Sequence, residues 1–285
     1  MKKLISTIFA LLLISSALFA VPNGTVITDS MNSFVEQLGI NIPNTTSQQN
    51  VWADAYIGKV FPSVPPHFGA GVNVAASMLD TSALSTAANE LGISSIPSKL
   101  PLPVFTADAR VGGVFIPFDL GVSFMKTGPL NLKSIAFDFT TLSADIRLAL
   151  LQQGLIMPNL SIGAGYSKTY GMLKASEGSD IFANIDFNVE TITGSVQLSK
   201  SVLIATPFVG ARVLFSKINN EWSAKASSVY NEVGSYTTEY SLETAQYQAF
   251  AGVGLNLLVL QFTPSVAYDI KNDIWAGSFS VRVKL

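Results

Sequence analysis

Trp275-Ala276-Gly277-Ser278-Phe279-Ser280-Val281-Arg282-Val283-Lys284-Leu285 is a ribbon with two unlike faces. Trp275, Gly277, Phe279, Val281, Val283 and Leu285 form one alternating set; Ala276, Ser278, Ser280, Arg282 and Lys284 form the other. Successive side chains of a strand point to opposite faces, so one face here is apolar and the other small or charged. Two stretches upstream alternate in the same way. Ala249, Ala251, Val253, Leu255 and Leu257 interleave with Phe250, Gly252, Gly254 and Asn256; Pro264, Val266, Tyr268 and Ile270 interleave with Ser265, Ala267 and Asp269. Such strands need neighbours on both edges, and closing the sheet into a barrel supplies them.

Composition agrees with a barrel in a membrane. The 285 residues are 48% hydrophobic and only 13% charged, with mean hydropathy +0.40. A soluble domain carries about a quarter of charged residues. Beyond residue 20 no run of about 18 apolar residues occurs, which excludes helical spans. Apolar residues dispersed in alternation are what a membrane barrel requires. The formal net charge of -2 offers no basic footprint, so nucleic acid is not an expected partner. The chain has no cysteine, which excludes disulfides, thiolate metal sites and a lipidated N-terminal cysteine.

Residues 1–20 read as a signal peptide: Lys2 and Lys3, an apolar stretch from Leu4 to Leu18, and a cleavage end at Phe19-Ala20. Leu18 is larger than the small residue usual three places before a cut, so the cut can shift; an uncleaved anchor is the alternative. Residues 21–49 do not alternate. Thr28-Asp29-Ser30 can cap a short helix bearing Met31, Phe34, Val35 and Leu38 and ended by Gly39. This appendage is either a surface tail or a plug entering a lumen.

Residues 50–285 carry the barrel, and they repeat. Ala53-Asp54-Ala55-Tyr56-Ile57-Gly58-Lys59-Val60-Phe61 returns as Ala107-Asp108-Ala109-Arg110-Val111-Gly112-Gly113-Val114-Phe115, and Ile135-Ala136-Phe137-Asp138-Phe139 returns as Ile185-Asp186-Phe187-Asn188-Val189. Strands open at Pro66, Pro117, Pro158, Pro207 and Pro264, where a missing donor costs least. Short turns are expected near Pro62–Pro66, Ile116, Gln152–Met157, Lys200–Ala205 and Leu260. Longer connections are expected at 79–101, 127–132, 169–181 and 218–243, with a helix in Leu79–Leu91 capped by Asp80 or Thr81. Short turns on one rim and long loops on the other mark a membrane barrel. Apolar residues change parity between Phe139 and Leu142 and again between Val189 and Ile192; a bulge or an extension beyond the membrane would do this, and the extension is favoured. Eleven strands can be counted. Barrels of this class have an even number, so the expectation is an all-β antiparallel transmembrane barrel of about twelve strands, with ten and fourteen open.

Asp54, Asp108, Arg110, Asp145, Arg147, Arg212, Asp269, Arg282 and Lys284 occupy the polar faces. An Arg or Lys facing lipid at mid-depth costs about 2–4 kcal/mol, so these charges are expected to line a lumen. They read either as a network bracing the wall, through Asp108/Arg110 and Asp145/Arg147, or as a constriction that selects solutes. Phe124, Tyr166, Phe215, Tyr268 and Trp275 read as an interfacial girdle, with soluble-sandwich packing as the alternative. The single histidine, His67, follows Pro65-Pro66 at a turn, no GxSxG elbow occurs, and one histidine cannot build a multi-histidine metal site. No enzyme, cofactor or metal is expected. Gly69-Ala70-Gly71 and Gly163-Ala164-Gly165 lack the rest of a dinucleotide fingerprint and read as small lumen-facing positions.

The leader end Ala17-Leu18-Phe19-Ala20, Pro66-His67-Phe68-Gly69-Ala70-Gly71 and Pro158-Asn159-Leu160-Ser161-Ile162-Gly163-Ala164-Gly165-Tyr166 resemble stretches of spirochaetal outer-membrane barrels of the FadL-like (long-chain fatty-acid transporter) kind. The resemblance implies an N-terminal hatch and diffusion of a hydrophobic small molecule. Fold and resemblance together lead to the expectation of a bacterial outer-membrane protein, a passive channel or transporter for small solutes, hydrophobic ones among them. Its partners would be outer-membrane lipid, the barrel-assembly machinery and the solute. The alternative is a closed barrel with a structural or adhesive role through its extracellular loops.

Overall fold

The computed structural model describes residues 23–57, 67–90, 96–113, 117–132, 134–177, 180–225, 232–241 and 245–285. The expected leader, the turns near 62–66 and at Ile116, and parts of the connections at 79–101 and 218–243 lie outside these residues. In chain order the elements are α1 (Gly24–Thr46), β1 (His67–Asp80), α2 (Ser82–Glu90), β2 (Lys99–Gly112), β3 (Phe118–Leu132), β4 (Ile135–Leu151), β5 (Asn159–Glu177), β6 (Asp180–Ser199), β7 (Ala205–Lys225), β8 (Glu232–Ser241), β9 (Gln246–Leu257), β10 (Leu260–Asp269) and β11 (Ile274–Lys284). Each strand pairs antiparallel with its neighbours; β1 meets β11 and β6 meets β7, so the sheet closes.

The barrel has ten staves, not twelve. Two facts account for the difference. β8 and β9 lie end to end along β7, with Lys217 opposite Ser241 and Leu214 opposite Gln246, so they make one interrupted stave. Ala53 to Tyr56, counted as strand on its repeat with Ala107 to Arg110, is not in the sheet: it crosses the lumen with Ala53, Ala55 and Tyr56 buried. Its backbone is held by side chains of the wall rather than by a ladder. Ala55 N–H donates to Ser199 Oγ (2.9 Å), and Gln197 Nε2 donates to Trp52 O (2.7 Å). Alternation of small and polar residues is equally at home in such a threaded segment.

In β11 Trp275, Phe279 and Val283 face outward while Ala276, Ser280 and Arg282 are buried inside. The same split runs around the barrel, with an outward face of Val72, Phe105, Val122, Ile146, Ile162, Val209 and Val266. That face is apolar all round and has no second sheet against it, which removes the soluble sandwich. No described helix is long and apolar enough to cross a membrane.

The parity change in β4 is a change of medium. Ile135, Phe137 and Phe139 are buried inside; from Leu142 on the apolar residues face out, and the ladder to β5 runs unbroken from Ile135 to Ala149. β6 repeats this with Ile185, Phe187 and Val189 inside and Ile192, Val196 and Leu198 outside. Outward charges mark the level of the switch, where Lys168 pairs with Glu190 at 2.8 Å. Residues 127–132, 169–177 and 180–181 and the start of 218–243, expected as loops, are therefore strand. They stand beyond the apolar band, where a polar outer face reads as loop. On the same rim Asp80 caps α2, accepting from Ser82 N–H at 2.8 Å. Hydrogen bonding by the Ser82 side chain is the main cause that holds this carboxyl below its ordinary range.

Helix α1 begins where the Asn23 side chain accepts from Thr25 and Val26 N–H, upstream of the expected cap at Thr28–Ser30. It passes through Gly39 and carries Pro43 inside. Ile27, Met31, Phe34, Val35, Leu38 and Ile42 form one stripe, packed with Phe137, Phe139, Leu173, Ile185, Phe187, Ile218 and Trp222 inside the strand extensions. Each such side chain contributes about 1.5–3 kcal/mol over exposure. The lower half of the helix is polar yet buried, with Asn41, Asn44 and Thr45 in the lumen, and residues 47–57 continue to the short-turn mouth.

Candidate functional site: the occupied lumen

The lumen is organised around Trp52, 1% exposed, which lies between two guanidinium groups: Arg282 at 4.5 Å from its ring and Arg110 at 5.7 Å. Arg282 grips Asp108 (Nη2 to Oδ2 2.7 Å, Nε to Oδ1 3.0 Å) and donates to Val51 O at 2.7 Å. Arg110 reaches both Asp119 and Asp145 at 2.6 Å. Arg147 also holds Asp119 (2.7 Å) and donates to Asp54 O at 2.8 Å. Buried charges persist only when paired and hydrogen-bonded, and these are.

Two of these pairs skip a strand. Gly71 on β1 sits in register between Asp108 on β2 and Arg282 on β11; Gly121 on β3 sits between Arg110 on β2 and Asp145 on β4. A Cβ at Gly71 would collide with Arg282, and one at Gly121 with both members of its pair. At Gly69 it would meet the Trp52 ring at 2.6 Å. Inward glycine therefore opens the space through which side chains two strands apart touch. Of the bracing expected among Asp108, Arg110, Asp145 and Arg147, across or along the wall, the structure shows the contact across it, Arg110 to Asp145 over Gly121.

The remaining candidates fall elsewhere. Asp54 lies on the threaded segment, not on a strand, and its Oδ2 accepts from Lys284 Nζ (2.7 Å) and Gln261 Nε2 (2.9 Å). Arg212 has no carboxylate partner among the described residues: Nε donates to Gln248 Oε1 at 2.5 Å, Nη1 donates to Ser47 O, and the group lies 4.9 Å from the Phe250 ring. Its Nη2 is buried without a partner. Asp269, at the long-loop end of β10, accepts from Asn44 Nδ2 and from Lys271 and Asn272 N–H. His67 opens β1 at the short-turn mouth, beside Asp54, Tyr56 and Lys284. No group of three or more potential metal-ligating His, Cys, Asp or Glu occurs among the described residues.

Sequence reasoning missed Asp119, the acid shared by Arg110 and Arg147, although Phe118, Leu120, Val122 and Phe124 alternate around it and give its face. It also missed the polar residues of the threaded segment. Ser123 Oγ donates to Gln49 Oε1 (2.9 Å), Asn73 Nδ2 to Gln48 O (2.8 Å), and Asn50 Nδ2 to Ser143 Oγ (3.2 Å). Between this segment and the wall lies one cavity of about 70 Å³, lined by Asn50, Ser143, Asp145, Gly163, Gly165 and Arg212, and a second opens at the short-turn mouth beside Asp54, Tyr56, His67 and Lys284.

No family model matches the sequence, and comparison with curated proteins gives no match. Solved barrels do resemble it. The translocator domain of the autotransporter NalP from Neisseria meningitidis aligns over 92% of this chain and 98% of its own, with TM-score 0.46 and 9% identity. The outer-membrane protease OmpT from Escherichia coli aligns over 77% of this chain and 97% of its own (TM-score 0.45, 10% identity), and a Pseudomonas aeruginosa FadL homologue over 82% and 96% (TM-score 0.29, 8% identity). Likenesses this distant carry no activity to this chain.

Proposed function

We propose that this chain is a gated passive channel of the bacterial outer membrane, closed in this structure by residues 24–57 and opened when they leave. The observation that carries the reading is how the lumen is filled. The inward positions of β5 are Ser161, Gly163, Gly165 and Ser167, too small to close a ten-stave barrel, and the space is taken by a separate segment, apolar in its upper part and hydrogen-bonded to the wall in its lower part. A barrel built only for support can close itself with its own side chains. The apolar stripe of α1 bears on the solute. It occupies a bowl lined by Phe137, Phe139, Phe187 and Trp222 directly above the polar lumen, and an amphiphilic molecule entering the bowl replaces those contacts as the helix leaves. Deleting residues 24–57 tests this in planar bilayers. Conductance should rise well above that of the full chain while the barrel still inserts. Unchanged conductance of an inserted barrel favours the second reading, a surface role for the strand extensions of β4 to β7.

A further inference from the structure

The short-turn rim carries leucines where a water-facing turn has polar residues. Leu155 in the β4–β5 turn, Leu203 in the β6–β7 turn and Leu258 in the β9–β10 turn are each essentially fully exposed, flanked by exposed Ile156, Ile204 and Val259. Leu203 (φ 53°) and Leu258 (φ 56°) also hold left-handed backbone, where glycine or asparagine is the usual occupant and a branched apolar residue is strained. Several polar groups of these turns are satisfied from within. Lys200 Nζ donates to the carbonyls of Gly154, Leu155 and Met157 at 2.9–3.1 Å. Gln153 and Ser201 exchange two bonds, from Ser201 N–H to Gln153 Oε1 (2.8 Å) and from Gln153 Nε2 to Ser201 O (3.1 Å), and Asn256 N–H donates to Ile204 O at 2.7 Å. Water would serve those groups at no structural cost; hydrocarbon cannot, and there backbone must be satisfied internally. In the β9–β10 turn Leu257, Leu258, Val259 and Leu260 continue the outward apolar face of Leu255 without a polar break; in the β4–β5 turn exposed Gln153 stands between Leu151 and Leu155.

We infer that the β4–β5, β6–β7 and β9–β10 turns are immersed in the acyl chains of the adjoining leaflet, so that this arc of the rim anchors the barrel in lipid instead of meeting the aqueous compartment. The absence of native cysteine makes the test direct. Leu155→Cys, Leu203→Cys and Leu258→Cys are labelled with a polarity-sensitive fluorophore and reconstituted at high lipid-to-protein ratio. Phe279→Cys on the wall serves as the lipid standard and Glu221→Cys on the extension as the water standard. The three tips should emit blue-shifted light and be quenched by lipids brominated along the acyl chain at least half as strongly as Phe279→Cys, with little quenching by aqueous iodide. Emission and iodide quenching like those of Glu221→Cys overturn the inference. So does protection from both quenchers, which would mean that protein covers the tips. Leu203→Asn provides a second readout: asparagine suits the left-handed position, so in water it should leave the urea midpoint unchanged or raised, and in lipid it should lower it.

Discussion

Asn44 Nδ2, on α1, donates to Asp269 Oδ2, at the end of β10, across 2.9 Å. Asn44 Oδ1 in turn accepts from Gln248 Nε2, and Gln248 Oε1 accepts from Arg212 Nε and, at 3.1 Å, from Ser47 Oγ. A wall cation and a wall anion are thus joined through two amides, one belonging to the wall and one to the segment that fills the lumen. β7, β9 and β10 supply Arg212, Gln248 and Asp269 in one register row. The chain of bonds exists only while the helix is seated.

Asn44→Leu should therefore favour the unseated state. It leaves Gln248 and Asp269 short of a partner, at about 1–3 kcal/mol, which is roughly 5–150-fold in the seated-to-unseated ratio. Open probability in bilayers and protease access to the segment should rise together. The apolar stripe above contributes more than this latch, so Phe34→Ala, which removes about 3–5 kcal/mol, should open the barrel further than Asn44→Leu.

Gly121→Ala should destabilise the barrel although it adds one methyl group. The methyl would occupy the space in which Arg110 meets Asp145, pushing apart a buried pair whose rupture costs about 3–5 kcal/mol. Gly277→Ala, where nothing lies within 4 Å of the added Cβ, should be neutral by the same detergent or urea titration.

The barrel was legible because lipid outside and charge inside impose a strict two-residue period, and β11 alone displays it. The stave count was not, because Ala53-Asp54-Ala55-Tyr56 alternates for another reason: its alternate sides meet different walls of a lumen. The parity change after Phe139 was readable as an extension, since strand geometry continues while the medium changes. Partners of the charges were hidden. Arg282 finds Asp108 over Gly71, a contact fixed by closure of β1 on β11, and nothing local to either sequence announces it.

Asp119 should be the most sensitive acid of the lumen. It is fully buried and serves Arg110 and Arg147 at once, and Ile57 N–H donates to it at 3.1 Å. Asp119→Asn leaves both guanidinium groups short of charge, whereas Asp145→Asn still leaves Arg110 with Asp119. The first should cost about 3–5 kcal/mol and the second less. Combining Asp119→Asn with Arg147→Met should cost less than the sum by about 0.5–3 kcal/mol, because the second change removes a charge that the first stranded. Additive losses in urea-induced unfolding would detach Arg147 from this network.

The depth of the barrel in its membrane can be read with arginine. Phe279 is on the outward face in the middle of β11, and Ser280 and Arg282, which follow it, are buried inside. Phe279→Arg should cost about 2–4 kcal/mol and impair insertion, because a guanidinium there can neither reach water nor turn into the filled lumen. Tyr170 also faces outward, but beyond the Lys168–Glu190 pair, where the interior of β5 is already apolar and the exterior already charged. Tyr170→Arg should cost about 0–1 kcal/mol, the value for positions near the interface. Ser280→Arg is no neutral control, since Ser280 Oγ accepts from Arg282 Nη1 at 2.6 Å in a packed site, and it should be damaging for steric reasons in detergent as well as in lipid. Phe279→Arg should be damaging in lipid far more than in detergent, where its side chain finds water at the micelle edge. Comparing urea midpoints in liposomes and in detergent separates the two causes, and equal costs for Phe279→Arg and Tyr170→Arg in liposomes would place the membrane boundary above Tyr170.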